Sequence, residues 1–174
     1  DTPSGMVSVL GLEREQVEEL CRQSVEPGEV LLPANYLCPG NIVVSGHNAA
    51  CERLAEAAEQ AGAMKVVPLP VAGAFHTPIM DSAVNRLRGA LADARMSKPR
   101  IPIVSNVDAQ PHDDPETMRQ LLVRQVHSPV LWEESMRYLL DQGYASFYEI
   151  GPGRVLRGLL RRIDRKISCE NVSC

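Results

Sequence analysis

Aromatic side chains are scarce in this chain: two phenylalanines, four tyrosines and one tryptophan make up 4% of its 174 residues. A core must then be built from Leu, Val, Ile, Ala and Met, and a hydrophobic content of 44% is enough for one. No C-x-x-C pair occurs, and the five cysteines (Cys21, Cys38, Cys51, Cys169 and Cys174) are dispersed along the chain. That pattern fits neither a disulfide framework nor a zinc site, and it points to a reducing, cytoplasmic compartment. No stretch approaches ~18 uninterrupted apolar residues, and the opening DTPSGMVSVL has no basic region followed by an apolar one. Neither a membrane span nor a signal peptide is expected. An excess of positive charge is missing as well. The net charge is −4 with a pI near 5.6, and the basic residues are scattered apart from a cluster between Arg154 and Lys166, which argues against nucleic acid as the principal partner.

What is present falls into two halves. Residues 6–10, MVSVL, read as a strand, and 13–24 as a helix with Val17, Leu20 and Cys21 on one face. Two short apolar runs, 30–32 and 42–44, are separated by the turn-rich NYLCPGN. A helix follows from GHNAACERLAEAAEQAGA, with Asn48 as its expected N-cap and Gly62 as C′. The run MKVVPLPVAG is extended, and its prolines suit an edge. The order β-α-β-β-α-β is that of a ferredoxin-like unit, expected over residues 1–70.

From residue 71 to 174 the grammar changes. An amphipathic helix over 78–95 carries Met80, Val84, Leu87 and Leu91. PRIPIVSNV reads as a strand, PHDDPETMRQLLVRQV as turn and helix, and PVLWEESMRYLLDQG as a helix with proline in its first turn. ASFYEIGPGRVLRGLLRRI reads as strand, glycine turn and helix. The fold class is α/β (α+β). About two strands in this half are too few for a parallel sheet covered on both faces, so the expectation is a chain that is part of a longer protein.

One residue draws attention. In VAGAFHTPIM, His76 follows Phe75 at the end of an apolar run and precedes Thr77 and Pro78. A lone histidine is ordinarily a core residue with satisfied nitrogens, but a strand end beside Gly73 and Ala74 is also where a general base can meet substrate. No G-x-S-x-G elbow and no cysteine in a glycine turn is available to it as a nucleophile. The turn of IGPGRVLRG could receive an anion at its amides, though a plain strand-to-helix turn is the simpler reading. The arginines at 154, 157, 161, 162 and 165 suit either an acidic carrier protein or a solvated helix face. His47, His112 and His127 read as surface residues, and no spaced cluster suggests a metal.

Read in order, GMVSVLGL, NYLCPGNIVVSGH, LPVAGAFHTPIM, IPIVSNVDAQPH, LVRQVHSPVLWEESM and YEIGPGRVLRGLLRRI resemble the malonyl-CoA:acyl-carrier-protein transacylases of fatty-acid synthesis and the acyltransferase domains of polyketide synthases. The resemblance runs from about residue 3 to residue 166. It implies a large α/β-hydrolase-like subdomain with an inserted ferredoxin-like one, and ping-pong transfer of malonyl from coenzyme A through a seryl ester to the phosphopantetheine thiol of acyl carrier protein. On it, His76 matches the base and Gln125 the residue whose backbone carbonyl orients that base. Phe75, Asn35 and Leu37 fall at substrate-binding positions. A phenylalanine before the base accompanies malonyl in the related domains, and serine accompanies methylmalonyl. Malonyl-CoA and the carrier are implied as substrates, with no permanently bound cofactor and a monomer when the chain is complete. Two departures stand out. The nucleophile motif G-H-S-x-G, a G-Q-G-S-Q stretch and the malonyl-pairing arginine of the family have no counterpart among the 174 residues, and where the family reads N-x-N-S-P-G this chain has Leu37 in Asn35-Tyr36-Leu37-Cys38-Pro39-Gly40. The competing expectation is a non-catalytic module that binds an acyl carrier or partner chain, or an acyltransferase domain of a larger synthase.

Overall fold

The computed structural model describes residues 2–173; Asp1 and Cys174 lie outside the described residues. Nine strands and six helices are found among the described residues. They are β1 (Ser4–Leu10), α1 (Arg14–Ser24), β2 (Leu31–Cys38), β3 (Asn41–His47), α2 (Asn48–Gln60), β4 (Lys65–Pro68), α3 (Asp81–Asp93), β5 (Ile103–Val104), β6 (Pro111–His112), α4 (Pro115–Gln125), β7 (Val130–Leu131), α5 (Trp132–Asp141), β8 (Ser146–Ile150), α6 (Val155–Ile163) and β9 (Ser168–Val172). The class is mixed α/β.

The first part is a sheet in the order β4-β1-β3-β2, antiparallel throughout. Alternation in β1 and β3 sends Val7, Val9, Ile42 and Val44 to the face covered by α1 and α2. The helices answer at helical spacing, with Val17 and Cys21 from α1 and Ala50, Leu54 and Ala58 from α2. Val9, Val17, Val44 and Leu54 are each at most 1% exposed, and burying each contributes about 1.5–3 kcal/mol. Met6, Ala34 and Val43 form a second small core with Leu37 and Leu69. Gly46 is required where it stands, because a Cβ there would run into the Val30 carbonyl and Leu31.

Several local expectations need correction. The turn-rich NYLCPGN is mostly strand: β2 continues to Cys38, and Pro39-Gly40 alone turns the chain, Gly40 supplying φ +65°. Register shifts in β2 accommodate Pro33 without breaking the ladder. Asn48 is the first helical residue of α2, not its cap; His47 takes the cap position, and its Nδ1 accepts the Val30 N–H at 2.8 Å. Gly62 does occupy the left-handed position after the helix, at φ +92°.

The second part departs further. PRIPIVSNV yields only the two-residue β5, paired with β6, because Pro99 and Pro102 remove ladder donors. The helix expected to begin at Pro129 begins at Trp132, since residues 130–131 are spent as β7, which pairs in parallel with β2 at Asn35 and Tyr36. β9, unanticipated, runs parallel to β8. Five short strands therefore stand where about two were expected. α5 and α6 pack on β2 and on each other. Arg14 ties α1 to α5 through Glu134 at 2.6 Å and lies 3.7 Å over the Tyr36 ring. Around β5, β8 and the start of α6, large apolar residues remain at the surface, including Ile101 at 74%, Ile150 at 77% and Val155 at 70% exposure.

Candidate active site

The chain leaves β4 along the face of the sheet opposite α1 and α2. There the Leu69 N–H donates to Met6 O at 2.9 Å and the Leu69 side chain packs on the small core that also holds Leu37. A tight turn follows at 73–77. The Phe75 N–H donates to Gly73 O at 3.1 Å, and the buried Thr77 donates from Oγ1 to Ala74 O at 2.8 Å. Thr77 Oγ1 also accepts the Ile79 N–H at 3.3 Å, which starts a single 3-10 turn over Pro78–Met80 ahead of α3. Between these bonds His76 is held at φ +64°. A non-glycine residue in that region is uncommon and carries strain.

The half-buried His76 ring meets the end of α4. Nδ1 lies 2.9 Å from the Gln125 carbonyl oxygen, across 49 residues of chain. A carbonyl only accepts, so Nδ1 carries the proton in the neutral ring and Nε2 is left with a free lone pair. The Gln125 side-chain amide lies beside the ring as well, its Nε2 3.5 Å from Nδ1, but its shorter bond is the one it donates to Ser128 O at 3.0 Å. The amide is half-buried and braces the turn after α4. Beside Gln125 an apolar cavity of about 260 Å³ opens between β5 and α4.

Phe75 projects to the surface next to the base, 40% exposed. Asn35 joins this region through the backbone, opposite Val130 of β7, two residues beyond the carbonyl that the Gln125 amide holds. Leu37 is packed with Met6, Ala34 and Val43 rather than offered to the ring. Among the described residues neither Asn35 nor Leu37 has a hydrogen bond to His76. The structure thus brings His76, with Phe75 next to it in the chain, to the Gln125 carbonyl, while Asn35 is linked to this region only through the β2–β7 pairing and Leu37 belongs to the small core.

Other candidates find their places too. The first turn of α6 and the glycine turn before it are held from within: Glu149, 9% exposed, accepts from the N–H groups of Leu156 and Arg157 at 3.0 Å each, and Asn171 Nδ2 donates to the carbonyls of Glu149, Gly151 and Gly153. The Leu156 and Arg157 amides are therefore not open to an external anion. Arg154, Arg161, Arg162 and Arg165 are exposed or nearly so, and Arg157 is half-buried. The three histidines read as surface residues are half-buried instead, with His112 3.0 Å from Asp108 and His127 2.7 Å from Asp81. Burial pushes the Cys21 thiol up to about 12 and the Cys51 thiol up to about 11, which removes both as thiolate nucleophiles. Among the described residues no group of three or more His, Cys, Asp or Glu side chains is placed to hold a metal ion, and no helix is long and apolar enough to cross a membrane. The Thr77 turn and the Glu149–Asn171 network were missed from sequence. A threonine directly before proline was the available signal for the first.

The family model described as acyl transferase domain matches residues 2–169. The chain belongs to that family. The malonyl CoA-acyl carrier protein transacylase of Staphylococcus aureus (strain MRSA252) is 38% identical over 173 residues, covering 98% of this chain and 56% of the relative. That of Salmonella typhimurium (strain LT2) is 40% identical over 159 residues, covering 91% and 51%. The chain spans about half the length of the curated relatives it matches. Among solved structures, the transacylase of Coxiella burnetii superposes with a TM-score of 0.94 at 32% identity, over 97% of this chain and 53% of that one. A malonyl-transacylase solved in complex with its type II PKS acyl-carrier protein does so with a TM-score of 0.93 at 35% identity, over 99% and 55%.

Proposed function

We propose that this chain is the base-bearing, C-terminal part of a malonyl-CoA:acyl-carrier-protein transacylase, with His76 as general base and the Gln125 carbonyl as its orienting acceptor. The observation that carries the reading is the 2.9 Å contact of Nδ1 with that carbonyl, which leaves Nε2 free to accept a proton. A serine contributed from outside these 174 residues attacks the malonyl thioester while its hydroxyl proton passes to Nε2. The C–S bond breaks, and the coenzyme A thiolate leaves with that proton as a thiol. The phosphopantetheine thiol of acyl carrier protein next gives its proton to Nε2 and attacks the seryl ester, and the serine oxygen takes the proton back as its C–O bond breaks. Protons and electrons balance within the exchange, so malonyl-CoA and the carrier are substrates and no resident cofactor takes part.

The same reading gives Phe75 the α-carbon side of the acyl group, with Asn35 and Leu37 shaping the wall behind the base. It makes residues 1–70 a ferredoxin-like small subdomain, in keeping with the β4-β1-β3-β2 order, and 71–174 part of a larger acyltransferase subdomain. A relative solved with its acyl-carrier protein supports the carrier as partner. Unpaired thiols at Cys21, Cys38, Cys51 and Cys169 support a reducing, cytoplasmic setting, and the complete protein is expected to be a monomer. The test is His76→Ala in the full-length protein. Single-turnover acylation should fall by roughly 10² to 10⁴ with the circular dichroism spectrum unchanged; near-normal acylation would return His76 to a packing role.

A further inference from the structure

Two features around His76 need a cause beyond its contact with Gln125. The first is the left-handed backbone at φ +64°, which a non-glycine residue holds only when its surroundings over-determine it. The second is that a carbonyl in the last turn of α4 is free to serve the ring at all. Carbonyls there ordinarily take the N–H four residues on. The Val126 N–H goes to Val123 O at 3.3 Å, and those of His127 and Ser128 both go to Arg124 O, at 3.1 and 3.0 Å. The next donor, which would reach Gln125 O, belongs to position 129, and position 129 is proline. Pro129 has no N–H to give.

We propose that Thr77 and Pro129 are positioning residues for the base: Thr77 locks the left-handed turn at His76 through its hydroxyl bond to Ala74 O, and Pro129 withholds the N–H that would otherwise occupy the Gln125 carbonyl. This rests on the reading of His76 as general base, but the geometry it explains does not. Thr77 is wholly buried, so no water can replace its bond. Its Oγ1 spans the turn, accepting from Ile79 on one side and donating to Ala74 on the other, with His76 in between. Pro129 acts from the opposite side. Its ring stops α4 and hands the chain directly to β7, whose pairing with β2 anchors the whole acceptor turn against the sheet. The ring is thereby aimed from both ends, by its own backbone and by its acceptor.

The test uses the full-length protein with Pro129→Ala, Thr77→Val and Thr77→Ser, reading both the neutral-ring tautomer of His76 by long-range ¹H–¹⁵N spectra and the kinetics of malonyl transfer. Wild type and Thr77→Ser should show the Nδ1–H tautomer alone. Pro129→Ala creates an amide at position 129, which should be protected from exchange because it bonds to Gln125 O, and the ring should become a mixture of Nδ1–H and Nε2–H forms. Thr77→Val should give the same mixture. In both, kcat should fall roughly tenfold to a hundredfold, the cost of a displaced catalytic group, with KM unchanged. A pure Nδ1–H tautomer in folded Pro129→Ala, or an unprotected amide at position 129, would overturn the Pro129 role. If Pro129→Ala does not fold, the Thr77 pair decides: equal tautomers and equal kcat in the valine and serine variants would overturn the proposal. Tautomer mixing as expected in a protein that transfers no malonyl would uphold the positioning and refute the transacylase reading.

Discussion

The left-handed backbone at His76 makes a prediction whose sign runs against the ordinary rule. At an unstrained site Ala is more stable than Gly by about 0.4–1 kcal/mol, because glycine loses more freedom on folding. At φ +64° a Cβ costs about 1–2 kcal/mol that glycine avoids. Both His76→Gly and His76→Ala lose the ring's bond to Gln125, worth about 0.5–1.5 kcal/mol, so that loss cancels between them. The balance favours His76→Gly over His76→Ala by about 0.5–1 kcal/mol once the entropy is set against the strain. Urea denaturation of the two full-length variants, with slopes compared to show that the unfolded states match, measures the difference directly. Both variants should also lose acylation by the same roughly 10² to 10⁴, so stability and activity are read separately. A glycine variant less stable than the alanine one would mean that His76 is not left-handed and would remove the strain on which the Thr77 role depends.

On the proposed reading, in which the Phe75 ring beside the base fills the volume an α-methyl would need, Phe75→Ser should raise the use of methylmalonyl-CoA relative to malonyl-CoA; about 1–3 kcal/mol of discrimination is at stake, and an unchanged ratio of kcat/KM values for the two thioesters would refute it. Glu18, whose carboxyl is held below its ordinary value by hydrogen bonds from Arg14 and then from the Tyr36 hydroxyl, contributes stability that is full above the unfolded glutamate value near ~4.3 and lost as pH falls through the lower folded value. Glu18→Gln should therefore flatten the acid limb of the stability profile, and a limb of unchanged steepness would assign it to other carboxylates. Gly46→Ala should destabilise by about 1–3 kcal/mol through overpacking against Val30 and Leu31, read as a shift of the urea midpoint at constant slope. In the isolated 174-residue chain, amides of β8 and β9 should exchange much faster than those of β1 and β3, because Ile150, Tyr148 and Val172 are exposed; uniform protection in a monomer would show that this half is self-sufficient.

Elements that depend on local chemistry were legible in the residues. Alternation marked β1, spacing marked α1 and α2, and Gly62 marked the end of α2, since each is a statement about one turn or one pleat. His76 as a candidate base followed from the apolar run before it, read as a strand, although β4 ends at Pro68 and His76 sits in a turn; Gln125 as its counterpart came from the motifs of the family rather than from any local rule. The extent of β2 was not legible, because a strand through NYLC is stabilised by β3 across a hairpin and not by its own propensity. Nor were β7 and β9: a two-residue strand such as β7 exists only through its partner, which it finds in β2, almost a hundred residues earlier in the chain.

The sequence by itself determined which side chain carries the imidazole, that proline stands where a helix would seek its next donor, and that the cysteines are too dispersed to suggest a disulfide framework. Tertiary structure alone decided that this imidazole and the Gln125 carbonyl, 49 residues apart, come within 2.9 Å, that the backbone at His76 is left-handed, and that two amides in the first turn of α6 are taken by Glu149. The physical reason is the range of the forces involved. Propensity and capping act within a turn, whereas the orientation of a ring is set by whichever polar group the packing of the sheet and helices delivers to it.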